Sequence, residues 1–302
     1  MYYLCGVILH YYTILLIVHE LLTPQIKERN NMKINLEKVD YKYRGARENA
    51  LTNITLSLEA NKIYGLLGKN GVGKSTMLYL IAGLLKAKQG TISIDGIETQ
   101  LRRPEILKDV FIVTEEFSLP NVSLSEYIKM NRPFYPNFST DVLDNCLKAF
   151  ELNSDMKLGE LSLGQKKKVY MSFALATGTK ILLFDEPTNG LDITSKSQFR
   201  QVVSQSMTEE RTIIISTHQV YDIEQLVDHV VILSKKGVLL DMSTEEISQQ
   251  YVFETRMPND MDDVIYAEPS LQGNIVMAKR GNNPETNINL EMLFKAINIE
   301  NQ

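Results

Sequence analysis

From Met32 onward, apolar runs of strand length alternate with stretches whose apolar residues recur at helical spacing, the pattern of an α/β domain. Residues 62–67 (KIYGLL) predict a buried strand that runs into a glycine-rich turn. A helix is expected over 75–85, with Met77, Leu78, Leu80, Ile81, Leu84 and Leu85 as its apolar positions. Residues 91–97 (TISIDGI) alternate and contain Asp95-Gly96, which predicts a hairpin.

Between about 104 and 177 the pattern turns mainly helical. Ser123 and Glu126 are spaced as a capping box, and Val142, Leu143, Cys146, Leu147 and Phe150 share one helical face. Pro133 and Pro136 mark a loop whose rings are expected to pack beneath it. Strand-like runs return at 180–184 (KILLF), 212–216 (TIIIS) and 230–233 (VVIL), with a helix over 195–207 between the first two. Lys235-Lys236-Gly237 turns the chain into a strand over 238–241. The tail predicts a helix at 244–250, a short strand at 274–278 and a terminal helix from Leu290. No internal repeat is present.

The 302 residues are 44% apolar and 23% charged, the balance of a globular protein large enough for a substantial core. A net charge of -5 lacks the basic footprint of a nucleic-acid binder, so no nucleic-acid partner is expected. The two cysteines, Cys5 and Cys146, form neither a disulfide framework nor a metal-ligand spacing. Residues 2–18 differ from the rest: they carry no formal charge and sit at the short end of the roughly 17–25 residues that span a bilayer. With no Lys or Arg ahead of them they do not read as a secretory signal, and Lys27 and Arg29 behind them would keep the remainder cytoplasmic. Two readings of 1–31 stand: a membrane segment, or a start assigned too early, with Met32 opening the domain. The second is favoured, because Glu28-Arg29-Asn30-Asn31 back-translates to a purine-rich run ahead of Met32.

Three motifs carry chemistry. Gly68 to Ser75 matches G-x-x-x-x-G-K-[ST] between a predicted strand and a predicted helix. Gly68, Asn70, Gly71, Gly73 and Thr76 belong to a loop whose N–H groups converge on phosphate oxygens. Lys74 suits the outer phosphates of ATP, and the Ser75 hydroxyl suits Mg2+. Four apolar residues from Ile181 deliver Asp185 and Glu186 to the C-terminal end of a strand, where α/β sheets bind ligands. Asp185 fits the magnesium shell, and Glu186 fits a general base for attack on the γ-phosphate. Finally, Ser162 and Gln165 are spaced as a capping box opening a helix, in a run whose first residue, Leu161, stands 20 positions before Ile181.

The run Leu161-Ser162-Leu163-Gly164-Gln165, lying between a phosphate loop and an Asp-Glu strand, resembles the signature motif of ATP-binding cassette (ABC) transporter ATPases. Other family elements have counterparts here. Asn189-Gly190-Leu191-Asp192 resembles the D-loop, and Ser216-Thr217-His218 resembles the strand end bearing the switch histidine. Tyr43, 25 residues ahead of Gly68, resembles the aromatic that stacks on adenine. The likeness spans about 32–243 and is most similar to the ATPases of small bacterial exporters.

The resemblance implies a P-loop NTPase core with an antiparallel β subdomain, a helical subdomain at about 104–177 and a small C-terminal α+β tail at 244–302. It implies a head-to-tail dimer, homo- or heteromeric. ATP at Lys74 and Ser75 of one cassette would be covered by Ser162, Gly164 and Gln165 of the other. A separate permease would hold the pair at the cytoplasmic face of the membrane, with export the implied direction. His218 would contact the γ-phosphate. Two departures stand out: Leu163 replaces a glycine, and Glu115 occupies the place of an expected glutamine, able to bind Mg2+ but unable to donate a hydrogen bond. The alternative is a soluble ABC ATPase of translation or DNA maintenance. Against it stand the single phosphate loop and the lack of heptads between Ser75 and Leu161.

Overall fold

The computed structural model describes residues 32–300, so both readings of 1–31 lie outside the described residues. The chain opens with β1 (Ile34–Tyr41), β2 (Leu51–Leu58) and β3 (Ile63–Leu67). α1 (Lys74–Ile81) follows, then β4 (Gln89–Ile94) and β5 (Ile97–Glu98) around the expected Asp95-Gly96 turn. α1 stops short of the predicted 85 because Gly83 adopts a left-handed φ of 66° and the Leu84 N–H closes on the Tyr79 carbonyl at 2.8 Å. Leu84 is thereby left exposed.

The middle of the chain holds α2 (Pro104–Leu107), β6 (Val110–Val113), α3 (Leu124–Asn131), α4 (Thr140–Ala149) and α5 (Leu163–Ala176). The strand β6 interrupts the expected helical stretch. Both predicted capping boxes form: Ser123 and Glu126 open α3, and Ser162 and Gln165 open α5. Of the rings in the proline loop, Tyr135 packs on Phe111 at 5.5 Å and Phe138 on Phe173 at 5.4 Å. Phe134 does not pack beneath the loop; it is 69% exposed.

β7 (Ile181–Asp185), α6 (Ile193–Gln205), β8 (Thr212–Thr217), β9 (His229–Ser234) and β10 (Gly237–Ser243) follow. β3, β6, β7, β8 and β10 join β9 in a six-stranded sheet of order β10-β9-β3-β8-β7-β6, parallel throughout except for β10. Its inner strands β3, β7 and β8 are buried on both faces, which is why they read as unbroken apolar runs. Along β7, Leu182 and Phe184 join a core shared with α5 and α6. Ile181 and Leu183 join a second core shared with α1 and the antiparallel sheet β2-β1-β4-β5.

In the tail, α7 (Thr244–Gln250) leads into β11 (Tyr251–Arg256), β12 (Val264–Ser270), β13 (Gly273–Lys279) and α8 (Leu290–Glu300). The single strand expected at 274–278 is the centre of a three-stranded sheet, β11-β13-β12. Leu290, Leu293, Ala296 and Ile297 of α8 join the same core as Val220, Ile223 and Leu226, just after His218. The N–H of Leu290 also donates to the Glu224 carboxylate at 2.7 Å.

Candidate active site

Parallel registration brings the motifs together. Leu67 pairs with Thr217 and Asp185 with Ser216, so the ends of β3, β7 and β8 open at one edge of the sheet. The phosphate loop leaves β3 there and turns into α1 through Gly73, whose φ is 103°. A Cβ at Gly73 would lie 2.4 Å from the Ala50 carbonyl oxygen, so only glycine fits. No side chain caps α1, which leaves its first N–H groups free to face an anion.

A cleft of about 450 Å³ lies over this helix start. Asn70, Gly71, Gly73, Lys74, Ser75 and Thr76 form one wall, and Tyr43, Glu115, Glu186, Asn189 and His218 complete it. Lys74 Nζ donates to the Gly68 carbonyl at 2.9 Å and stands 3.3 Å from Glu186 Oε1. His218 Nδ1 lies 3.0 Å from that same oxygen, out of line for a hydrogen bond. Tyr43 OH meets Thr76 Oγ1 at 3.1 Å, and its ring packs edge-on against Tyr41.

Asp185 sits beneath the cleft floor. It accepts from Ser75 Oγ at 2.9 Å and from Ser216 Oγ at 2.6 Å. Burial pushes its carboxyl above the usual range, against the pull of those two hydroxyls, and the charges of Glu186 and Glu115 add to the rise. Tyr79, next to it, is pushed up to about 12, first by burial and then by Asp185.

Glu186 takes a left-handed φ of 46°, uncommon for a residue with a side chain. Its N–H donates to the Ser216 carbonyl at 3.0 Å. Its carbonyl accepts from Lys167 Nζ at 2.7 Å, and that ammonium also donates to the Asn189 carbonyl at 2.9 Å. Burial holds Lys167 below the ordinary lysine value, opposed by the charges of Glu115, Glu186 and Asp185.

The phosphate-loop residues, Tyr43, Glu115, Glu186 and His218 are therefore gathered in one place. Ser162, Gly164 and Gln165 are not: they open α5 outside the cleft, beside Leu163, which is 70% exposed. Asp192 also stands apart, capping α6 by accepting from the Ser195 N–H at 2.7 Å. Lys167 and Asn189 escaped the sequence reading as site residues. A signal for Lys167 existed, since it shares the buried face of α5 with Met171 and Ala174 at helical spacing.

The sequence profile of the family described as ABC transporter matches residues 51–189. The ABC transporter ATP-binding protein NatA of Bacillus subtilis (strain 168) is 30% identical over 222 residues, covering 69% of this chain and 90% of NatA. The zinc uptake system ATP-binding protein ZurA of Listeria innocua is 32% identical, covering 72% of this chain and 88% of its own length. This chain belongs to the ABC transporter ATP-binding family. The dimeric structure of the bacterial ABC transporter cassette MJ0796 superposes with a TM-score of 0.61 at 25% identity, over 70% of this chain and 98% of that one. A post-hydrolysis state of that cassette, bound to ADP and Pi, superposes with a TM-score of 0.61 at 26% identity, over the same shares.

The cassette is thus an ATP-binding, ATP-hydrolysing subunit of a transport system. That outcome favours transport over translation or DNA maintenance. Among the described residues, no helix is long and apolar enough to cross a membrane.

Proposed function

We propose that this cassette powers export through a separate membrane permease, as half of a head-to-tail dimer of cassettes at the cytoplasmic face of the membrane. The observation that carries the ATPase reading is the meeting of Lys74 and His218 on one oxygen of Glu186 at the mouth of the phosphate loop. In this reading the Tyr43 ring takes the adenine. The N–H groups from Asn70 to Thr76, with Lys74, hold the phosphates. Glu186 takes the proton from the attacking water as the new bond to the γ-phosphorus forms and the bridge to the β-phosphate breaks. His218 holds the γ-phosphate oxygens. The start of α5, with Ser162, Gly164 and Gln165, serves the second chain's nucleotide, and Asp192 holds the loop that faces it.

Mg2+ suits the pair of hard oxygens at Ser75 and Asp185, 2.9 Å apart. Among the described residues no three His, Cys, Asp or Glu side chains are grouped to hold a metal. Ser75 and Asp185 would hold the ion from the protein side, with Glu115 close by in the cleft. Bound there, the ion would offset phosphate charge.

Residues 32–243 are read as the nucleotide-binding domain, with the helical subdomain at about 104–177, and 244–302 as an attached module. Purification from membranes should recover a multi-span chain with the cassette. Recovery with ribosomes or DNA instead, with ATPase stimulated by them, would overturn the transport reading. Direction is tested by ATP-driven movement of cargo into inside-out vesicles.

A further inference from the structure

Lys167 is the second residue of a run of three lysines, yet only it is buried, at 4% exposure. A buried ammonium is costly unless its donors are satisfied. Here its Nζ meets two backbone carbonyls and no carboxylate oxygen within hydrogen-bond reach: Glu186 O at 2.7 Å and Asn189 O at 2.9 Å. Those carbonyls close the two ends of the turn that follows β7, and the Asn189 N–H itself returns to the Glu186 carbonyl at 3.3 Å. The turn begins with the left-handed backbone of Glu186. Such a conformation persists only where surrounding contacts over-determine it.

Lys167 stands one turn into α5, whose first residues are exposed and lie outside their own chain's cleft. Those residues also approach the turn directly, since a Cβ on Gly164 would come within 4.0 Å of the Gly190 carbonyl oxygen. One end of α5 therefore faces outward, while its first turn grips the peptide that carries Glu186.

We infer that Lys167 is a positioning residue that ties the start of α5 to the backbone of Glu186. Engagement of Ser162 by the second chain's nucleotide then seats the carboxylate of the first chain's own site. The inference rests on the roles given above to Glu186 and Ser162. It assigns a link between the two sites of the dimer to a single side chain.

The test uses the full chain and compares Lys167→Met, Lys167→Gln and Glu186→Gln with the parent. Methionine fills a similar volume and removes a buried charge, so folding should survive. Lys167→Met should lower kcat by roughly 10- to 100-fold, the effect of losing charge-assisted hydrogen bonds, while ATP affinity stays within about twofold. Lys167→Gln, which keeps N–H donors, should recover at least about a third of the parent kcat. Turnover by Lys167→Met within about twofold of the parent, with Glu186→Gln inactive, would overturn the inference and leave the role of Glu186 intact. A loss of ATP affinity or melting temperature in step with kcat would overturn it too, by showing a merely structural part. Normal turnover by Glu186→Gln would instead sink the reading of Glu186 itself.

Discussion

The side-chain amide of Asn189 donates to Glu115 Oε1 at 2.8 Å, joining loops 74 positions apart. The amide oxygen of Asn189 accepts from Gln219 Nε2 at 3.1 Å, and Gln219 Oε1 accepts from Lys196 Nζ at 2.7 Å. An ammonium at one end and a carboxylate at the other orient both amides in the same direction. Lys196 is anchored in turn by Asp222, 2.8 Å away. The carboxylate at 115 thus has a structural partner that needs only an acceptor.

It follows that Glu115→Gln should keep ATPase activity within about threefold, because an amide oxygen can still accept from Asn189. Glu115→Ala leaves the Asn189 amide without its partner and should cost roughly tenfold in kcat, the effect of one lost polar contact. Steady-state ATPase assays on the two variants check this; equal losses in both would refute the acceptor role.

Lys74 and Glu186 should separate binding from chemistry. Lys74→Ala should weaken ATP affinity by at least about tenfold through loss of a charge-assisted phosphate contact. Glu186→Gln should bind ATP as the parent does, lose turnover by a factor on the order of 100 or more, and accumulate as a dimer with ATP. Nucleotide titration and light scattering measure both; unchanged ATP affinity in Lys74→Ala would remove the lysine from the phosphate site.

Asp185 carries a stability cost that depends on pH. Its folded carboxyl is raised above the ordinary aspartate value of 3.8, chiefly by burial, so the folded state binds the proton more tightly than the unfolded chain. The carboxyl therefore favours folding below 3.8, and that contribution is lost as pH rises through the folded value. Asp185→Asn can still accept from Ser75 and Ser216 and can donate toward Tyr79. It should melt higher than the parent at neutral pH, with the gain shrinking toward pH 4, while ATPase activity falls. A melting series across pH with no such convergence would contradict the burial argument.

Gly73→Ala should be destabilised by about 1–3 kcal/mol, since it combines a left-handed φ with a steric clash. The clash is with the Ala50 carbonyl at 2.4 Å. Urea denaturation gives the figure. Gly71→Ala, which also has a positive φ but meets nothing within 4 Å, should lose less.

The sheet core and the phosphate loop were legible because strands buried on both faces, such as Ile181 to Phe184, leave unbroken apolar runs. The caps at Ser123 and Ser162 were legible because their bonds are local. β6 was hidden, being four residues long and set in a stretch that otherwise reads as helical. In the tail, β11 and β12 carry Glu254, Thr255, Arg256, Glu268 and Pro269, polar or strand-breaking residues that mask their periodicity. Lys167 stands in a lysine run that reads as a solvated face unless its spacing to Met171 and Ala174 is followed, and Asn189 was read only as part of a loop. Their partners lie 19 to 74 positions away, beyond the reach of local pattern.

The packing of α8 on the segment after His218 bears on how the protein can be trimmed or fused. A chain ended at Ser243 would strip α8 from the segment at Val220–Asp222, just after His218. Tags, fusion partners and domain transplants joined at that point would therefore inherit an apolar scar close to the cleft. A junction placed beyond α8 keeps that surface covered.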